Sequence, residues 1–459
     1  MDDTLPVVMC SIVTRRQAPP WEGIEMDDTM RHAMRAAVVA AVEQEISALF
    51  DTLVAASAVQ LEQAERLTRV GVLAIGARVL AASVAARGTG KTGARCACPC
   101  GAQATFEGYR TKAIQTLVGW IDVRRAYYHC AACRHSQIPL DQALGLRRDS
   151  HSPMVRRLSS QFGALLPFTQ AAATLNDAAS IQLSPSTVRA VSEAVGAQRD
   201  TDLNQQVAHA WRDGVSPGTS PASARLYVAM DGVRILSTSG DGKEAKVGVV
   251  VPEQRGPDGQ PGRADASYVA SFATAAAFGP RLALEAHRRG LDGAAEVVVL
   301  GDGAEWIWNL ATEHFPHATH IVDWYHASER VWELGRAFYG ETSRRGTAWV
   351  EQQLALLAAG QVRRLVRNWQ RRACTGAVAV IRTEQVTYFT NQADRMAYDQ
   401  YRGRGLDIGS GMVESACKYV IGAREKGPGM RWSVRGAQAV ANIRVLLLND
   451  QWHDYDLAV

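Results

Sequence analysis

The stretch Val297-Val-Val-Leu-Gly-Asp302-Gly-Ala-Glu-Trp-Ile-Trp-Asn-Leu-Ala311 decides the fold that we expect for this chain. Its first four residues are apolar and rich in β-branched side chains, which predicts a strand buried on both faces, as in a parallel sheet. Glycines on either side of Asp302 interrupt the strand, and the residues from Glu305 onwards have helical spacing. A second apolar run, Thr319 to Val322, is followed by Asp323. The sequence therefore predicts a β-α-β unit with an acidic residue after each strand.

A third acidic residue, Asp231, lies within an apolar run that begins at Arg225. Two more strands are expected at 244–251 and 267–272, and a helix at 279–289. The order is then three strands, helix, strand, helix, strand, which is the order of the ribonuclease H fold. That fold holds metal-binding acids on its first and fourth strands, and these positions correspond here to Asp231 and Asp302. Buried carboxylates need a partner because an isolated buried charge is very costly, so a metal site is expected at this edge of the sheet.

The composition indicates a globular chain rather than a polycation. With 459 residues we expect two to four domains, and the net charge is only +4. Arginine supplies 44 of the 50 basic residues. Arginine binds phosphate well. A GC-rich genome would also raise the proportion of arginine over lysine. No uninterrupted apolar run reaches membrane-spanning length, and no basic segment precedes an apolar one at the N-terminus. We therefore expect a soluble cytoplasmic protein without a membrane partner.

Residues 1–90 form a helical region by their spacing, with a break near residues 55–58. Packing or oligomerisation is its expected role, and DNA contact through its arginines is the alternative. A cysteine-rich segment follows at 91–145. Two knuckles joined by a hairpin predict a zinc ribbon, because structural zinc takes four Cys or His ligands from such pairs. The expected ligands are four of five cysteines, namely Cys96, Cys98, Cys100, Cys130 and Cys133.

The identity of one zinc ligand stays open in the sequence. The second knuckle is a regular C-x-x-C, whereas the first offers either Cys96 or Cys98 beside Cys100. His129 or His135 could replace one cysteine as a zinc ligand. The alternative without a metal is that the reduced cysteines cluster by chance. The main role expected of the zinc ribbon is to stabilise the fold through its metal. Its second expected role is DNA contact by Arg110, Arg124 and Arg125 of the hairpin.

Residues 146–215 are predicted to be helical and to resemble a helix-turn-helix, with a second helix that begins near Ser186 and presents Arg189 to DNA. Many helical hairpins share this pattern. A Pro/Ser-rich linker over 215–223 separates it from the core, which runs over 222–326 and resumes at 406–459. Between the two parts, 327–405 is an expected helical insertion. Its basic run, 363–372, is either a solvated face or a phosphate contact.

The second part of the core carries Ile408-Gly-Ser-Gly-Met-Val-Glu414-Ser and a basic loop, Arg424-Glu-Lys-Gly-Pro-Gly-Met-Arg-Trp432. Glu414 is expected in the first turns of a helix. Lys426 and Arg431 of the loop are candidate DNA contacts.

Several of these motifs occur together and in order: "MDG" with Asp231, "GDGAEWIW" with Asp302, "DWYH" at 323–326, "GSGMVES" at 409–415 and "GMRW" at 429–432. In this the chain resembles a bacterial insertion-sequence transposase of the ISKra type, from about residue 96 to 448. The resemblance implies a ribonuclease H-like core and the catalytic triad Asp231, Asp302 and Glu414. The D-x-x-H element is similar to that of Mutator-like transposases. This resemblance implies that Asp323 and His326 are accessory residues of the site.

This reading implies two Mg²⁺ or Mn²⁺ ions held by the triad, with structural zinc elsewhere. Such ions sit roughly 3.5–4 Å apart and serve an in-line displacement at a DNA phosphate. The partners would be double-stranded DNA, namely terminal inverted repeats and a target, and a second copy of the chain. Localisation would be the bacterial nucleoid. The alternatives are a nuclease or resolvase on the same core, and a DNA-binding regulator derived from a transposase. His326 alone is also compatible with a structural histidine.

Overall fold

A computed structural model describes residues 28–55, 60–214, 223–255, 261–263 and 266–457. The N-terminal segment before residue 28 and most of the expected linker, residues 215–222, lie outside these ranges. The described chain is mixed α/β with two sheets. It divides into two compact units: one holds the described residues up to Ser159 together with Ala172–Leu183, and the other holds Ser160–Ala171 and Ser184–Tyr455.

The first unit contains two long helices and an antiparallel sheet in the order β1-β2-β3-β4. Two helices lie at the expected places, and the predicted break near residues 55–58 falls mostly outside the described residues. The elements are α1 (Asp28–Ala55), α2 (Leu61–Ala85), β1 (Arg95–Ala97), β2 (Gln103–Thr116), β3 (Gly119–His129), β4 (Ser136–Gln137) and α3 (Pro139–Ala143).

Helix α2 packs on the β2–β3 hairpin. Ile114, Ile121 and Val123 form a buried cluster on the hairpin, and Leu80 and Val84 of α2 pack against it. By length and composition alone α2 is also apolar enough to cross a membrane. Apolar helices in the cores of soluble proteins share this property, so it is weak evidence for a membrane.

The helices that follow in sequence are α4 (Pro153–Leu165), α5 (Phe168–Ala179) and α6 (Pro185–Asp213). Helix α6 begins where the sequence predicted, since Ser184 is its N-cap and accepts a hydrogen bond from the N–H of Thr187, 3.1 Å long. It is longer than the second helix of a helix-turn-helix needs to be, at 29 residues. Val188, Val191 and Val195 bury one side of it.

The second unit is built around a mixed sheet. Its strands and helices follow one another in the order predicted from the sequence, with one short extra strand, β7. The remaining elements are β5 (Arg225–Leu236), β6 (Gly242–Arg255), β7 (Pro261–Arg263), β8 (Ser267–Ser271), α7 (Ala275–Arg288), β9 (Glu296–Gly301), α8 (Glu305–His314), β10 (Thr319–Val322), α9 (Trp324–Tyr339), α10 (Arg344–Ala358), α11 (Val362–Gln370), α12 (Gly376–Gln392), α13 (Tyr398–Gly403), α14 (Gly411–Ala416), α15 (Ala423–Glu425) and α16 (Val434–Leu448).

The strands of this sheet are ordered β10-β9-β5-β6-β7, and β8 also pairs with β6. Strands β5, β9 and β10 are parallel to one another, while β6 is antiparallel to β5 and β8 is antiparallel to β6. The central strands are buried on both faces, as their continuous apolar runs require. Because β5, β9 and β10 are parallel, they run towards the same edge of the sheet.

Helices α6 and α16 pack closely against each other in this unit. A Cβ at Gly196 of α6 would lie 2.0 Å from the carbonyl oxygen of Ala439, so no larger residue fits there. The side-chain amide of Asn442 donates a hydrogen bond to the Gly196 carbonyl, 2.9 Å long.

Helices α9 to α13 form the expected helical insertion. In α11, Val362, Leu365 and Trp369 are buried, whereas the arginines between them are exposed. The basic run therefore occupies the solvated face of an amphipathic helix.

Candidate functional site

Three aspartates stand in a row where the parallel pairing ends: Asp302 and Asp323 follow β9 and β10, and Asp231 lies within β5, one residue beyond its pairing with β9. Met230 of β5 pairs with Gly301 of β9, and Gly301 pairs in turn with Val322 of β10. The residues that follow these partners are Asp231, Asp302 and Asp323. Neighbouring strands are about 4.8 Å apart, so the strand register alone brings three carboxylates to the same edge.

Asp231 has a partly buried carboxylate with two donors. Its Oδ1 accepts the N–H of Gly232 at 2.7 Å, and its Oδ2 accepts the thiol of Cys417 at 3.5 Å. Burial raises the pKa of Asp231, and the nearby charge of Asp302 raises it too, against the hydrogen bond from Gly232. The two carboxylates therefore repel each other through a poorly solvated space, which is the electrostatic environment that a cation would relieve.

The loop that carries Asp302 is held from two directions. Within the loop, the carboxylate accepts the N–H of Ala304 at 2.8 Å. From helix α12 of the insertion, the hydroxyl of Tyr388 donates to the carbonyl of Asp302 at 2.7 Å, and the amide of Gln392 donates to the carbonyl of Gly303 at 2.9 Å. Gly303 has φ +102°, and a Cβ there would lie 2.6 Å from the Tyr388 ring, so glycine is required.

Asp323 joins the starts of two helices. It is buried, with 1% of its surface exposed, and it is the N-cap of α9, where it accepts the N–H of His326 at 2.7 Å. Its other oxygen accepts the N–H of Ser410, the residue before α14. Burial alone would raise the pKa of Asp323, but the hydrogen bonds from His326 and Ser410 outweigh burial and lower it. Asp323 is thus a structural anion that fixes the helix bearing Glu414.

His326 lies beside this row as a cation. Its Nδ1 is 3.2 Å from Asp323 Oδ1, and this hydrogen bond raises the pKa of His326 to about 8. The charges of Asp302 and Asp231 also raise it. The imidazole is therefore protonated at neutral pH and stands close to the carboxylates, with about two-fifths of the side chain exposed.

Glu414 lies in α14, as expected, but its carboxylate is exposed and accepts a hydrogen bond from Lys418, 2.6 Å long. Directly after α14 the chain forms a π-helical segment, Cys417–Gly422. Such widened turns occur frequently at functional sites. Here the segment starts at Cys417, which donates to Asp231.

These acids are not gathered as tightly as ligands around a bound ion. Among the described residues, one group of three or more Cys, His, Asp or Glu side chains has all its ligand atoms within 4.8 Å of one another. That group consists of cysteines alone. Asp231 and Asp302 interact and fit a shared cation by their oxygen chemistry. Glu414 would have to leave Lys418 to join them.

The cysteine cluster consists of Cys98, Cys100, Cys130 and Cys133. The Sγ atoms of Cys98 and Cys133 are 3.6 Å apart, and those of Cys100 and Cys130 are 3.7 Å apart. Four sulfurs in a tetrahedron with bonds of about 2.3 Å to zinc would be roughly 3.8 Å apart. The cluster could therefore hold a structural metal such as zinc.

The structure distinguishes between the two cysteines that the sequence left open. Cys98 lies in the turn after β1 and belongs to the cluster, whereas Cys96 lies within β1, pairs with Ala104 and is outside it. Neither His129 nor His135, both described, belongs to the cluster.

The six arginines and lysines proposed by number to contact DNA divide into two classes. Arg125 is buried and forms an ion pair of 2.6 Å with Asp141, so its prediction as a DNA contact is corrected: it holds the hairpin to α3. The other five are exposed, namely Arg110, Arg124, Arg189, Lys426 and Arg431. Arg124 lies over the ring of Tyr109 at 4.1 Å, and Arg189 is 3.8 Å from Glu193.

Three residues that support the aspartates were missed by sequence reasoning: Tyr388, Gln392 and Cys417. Tyr388 and Gln392 are about 90 positions from the loop they hold, and no local pattern marks them. Cys417 did carry a signal, since it is three residues after Glu414 on the same expected helix.

No protein-family model matches this chain, and no curated protein matches it with significance.

Proposed function

We propose that this protein is a DNA transposase of the acidic-triad type, which cleaves DNA strands at the ends of a mobile element and joins them to a target. The observation that carries the proposal is the register of the parallel strands. It sets Asp231 and Asp302 side by side, at the edge of the sheet where sites in open α/β folds are found.

The order of the strands supports a ribonuclease H-like core. Strand β5 occupies the centre, flanked on one side by its antiparallel partner β6 and on the other by the parallel strands β9 and β10. Asp231 is on the first strand of this core, and Asp302 follows the fourth strand if the short β7 is left out. Glu414 would complete the triad from α14, after a helical insertion.

Asp231, Asp302 and Glu414 would hold two Mg²⁺ or Mn²⁺ ions. When bound, such ions activate the attacking oxygen and stabilise the leaving oxygen at a phosphate. The chain's own part is positional. Asp323 fixes the start of α14, Tyr388 fixes the Asp302 loop, and the imidazolium of His326 is available to hold a DNA phosphate beside the carboxylates.

The first unit supplies features that suit DNA binding and self-association. Arg124 is exposed on the hairpin that the cysteine cluster closes. Helices α1 and α2 expose large apolar side chains, which favours contact with a second copy of the chain. These side chains are Val39, Ile46, Phe50, Val54, Leu61, Val70, Val72 and Val79.

The test is cleavage of the DNA that flanks the coding sequence. We would incubate the full chain with a plasmid carrying both flanks in Mg²⁺ and map the products by sequencing. We expect nicks at defined ends and products joined to new sites. Asp302→Asn should abolish both while DNA binding persists. The matched control is Asp394→Asn, since Asp394 is exposed and paired only with Arg363 among the described residues' ion pairs.

The products also separate the alternatives. Cleavage without joining would favour a nuclease or resolvase on the same core. Binding without any cleavage would favour a regulator. Full nicking by Asp302→Asn would remove the triad from the mechanism.

A further inference from the structure

A cavity of about 520 Å³ opens beside the start of α14, and its lining includes Trp324, the residue after Asp323 at one end of the row of aspartates. Trp324 and Tyr325 of the D-x-x-H element form one wall, and Gly409, Gly411 and Met412 lie on the side of α14. Trp324 follows Asp323, and its N–H donates to the carbonyl of Ile408 at 2.8 Å. Both walls are therefore anchored to the elements that carry the candidate site.

Tyr325 is the distinctive residue of this cavity. The residue is 67% exposed, although it is a large aromatic residue in the first turn of α9. A Cβ at Gly409 would lie 2.9 Å from the Tyr325 ring, so glycine leaves one edge of the ring close to backbone and the remainder open. The ring is thus placed as a platform for a flat ligand.

The charges around the cavity favour a base over a phosphate. Arg402 lies over the Trp324 ring, 4.9 Å from its centroid, and supplies hydrogen-bond donors. Asp407 also lines the cavity and supplies acceptors. A carboxylate disfavours a phosphate but can accept a hydrogen bond from the exocyclic amino group of cytosine, adenine or guanine.

We propose that this cavity binds a single unstacked nucleobase of the DNA strand next to the scissile phosphate, stacked on Tyr325. The proposal rests on the proposed function for its choice of ligand, because the cavity adjoins Asp323 at one end of the row of aspartates. A base outside the duplex would fix the position of the strand relative to Asp302 without requiring any particular sequence at the cleaved bond.

Binding in EDTA tests the proposal separately from catalysis. We would measure the affinity of the full chain, by fluorescence anisotropy, for three labelled duplexes from the flanking DNA: fully paired, with one unpaired cytosine at the junction, and with an abasic residue in its place. We expect the unpaired cytosine to bind about tenfold more tightly than the abasic residue. Tyr325→Ala should remove that difference and Tyr325→Phe should retain it.

Two further variants sharpen the result. Tyr419 is exposed to a similar degree, at 63%, and does not line the cavity, so Tyr419→Ala should keep the tenfold difference. Asp407→Asn should reduce the preference for an unpaired cytosine over an unpaired thymine. Equal affinities for cytosine and abasic duplexes in the unmodified chain, or no binding to any duplex, would overturn the proposal. Because no metal is present, loss of cleavage in Asp302→Asn has no bearing on this outcome.

Discussion

The hydroxyl of Tyr388 donates a hydrogen bond of 2.7 Å to the carbonyl oxygen of Asp302. The guanidinium of Arg330 lies over the Tyr388 ring, 3.8 Å from its centroid, and fixes the ring in turn. A helix of the insertion therefore holds the backbone of the loop that carries the central aspartate. The insertion is a structural part of the candidate site as well as a separate basic surface.

Tyr388→Phe removes that hydrogen bond and keeps the ring. We expect cleavage at limiting Mg²⁺ to fall about fivefold, because a net hydrogen bond is worth about 1 kcal/mol. The concentration of Mg²⁺ that gives half-maximal cleavage should rise, which a general loss of stability would not cause. The control is Tyr339→Phe, whose hydroxyl accepts from Arg372 elsewhere in the insertion. An unchanged Mg²⁺ requirement would show that Tyr388 does not position the loop.

Asp323→Ala should destabilise the second unit more than loss of an ordinary cap. It removes acceptors for the N–H groups of both His326 and Ser410, so we expect the free energy of unfolding to fall by about 2 to 3 kcal/mol in urea titrations. Ser343→Ala removes a single cap, at the start of α10, and should cost about 1 kcal/mol. Equal losses for the two variants would contradict the bridging role of Asp323.

The charge of His326 should depend on Asp323. The pKa of His326 in the folded protein is about 8, above the usual value of 6.5. The interaction of His326 with Asp323 therefore stabilises the fold fully below pH 6.5, and this stabilisation is lost as the pH rises through 8. Since the side chain is 39% exposed, we expect less than about 1 kcal/mol. A histidine NMR titration should give the raised pKa in the unmodified chain, and Asp323→Asn should lower it. A value near 6.5 in the unmodified chain would contradict the ion pair.

Metal content should separate Cys96 from Cys98. We expect about one zinc per chain by elemental analysis of the unmodified chain and of Cys96→Ser, and a large loss in Cys98→Ser. A strong chelator should unfold the hairpin, because the metal contributes to folding. Retention of zinc by Cys98→Ser together with its loss in Cys96→Ser would reverse the assignment.

Much of the core was predictable because its strands are buried on both faces. The runs before Asp302 and Asp323 are short, apolar and bounded by breaks, and β10 spans the residues that the sequence indicates. The interior placement of Asp231 in β5 also follows from sequence. The neighbouring positions of the aspartates then depend on the strand register, which the apolar runs do not specify because these strands are buried on both faces.

Other features depended on contacts that the sequence does not encode locally. Cys96 and Cys98 are both plausible from spacing, and the turn that begins at Cys98 decides between them. Arg125 did carry a usable signal: Ile121 and Val123 of β3 are buried, and alternation places Arg125 on that same face and Arg124 on the opposite one. The loop clamp by Tyr388 joins residues 86 positions apart and could not be anticipated.

The π-helical segment fixes the angular phase of the last part of the core. Glu414 precedes it, and Arg424 follows it, buried and stacked on Phe168 and Trp432. In a regular helix each residue turns the chain by about 100°, so a chain one residue shorter here would rotate Glu414 by that angle relative to the anchor at Arg424. A change of length in this segment would therefore change the direction in which Glu414 projects from α14, whereas the same change in a surface loop would be absorbed.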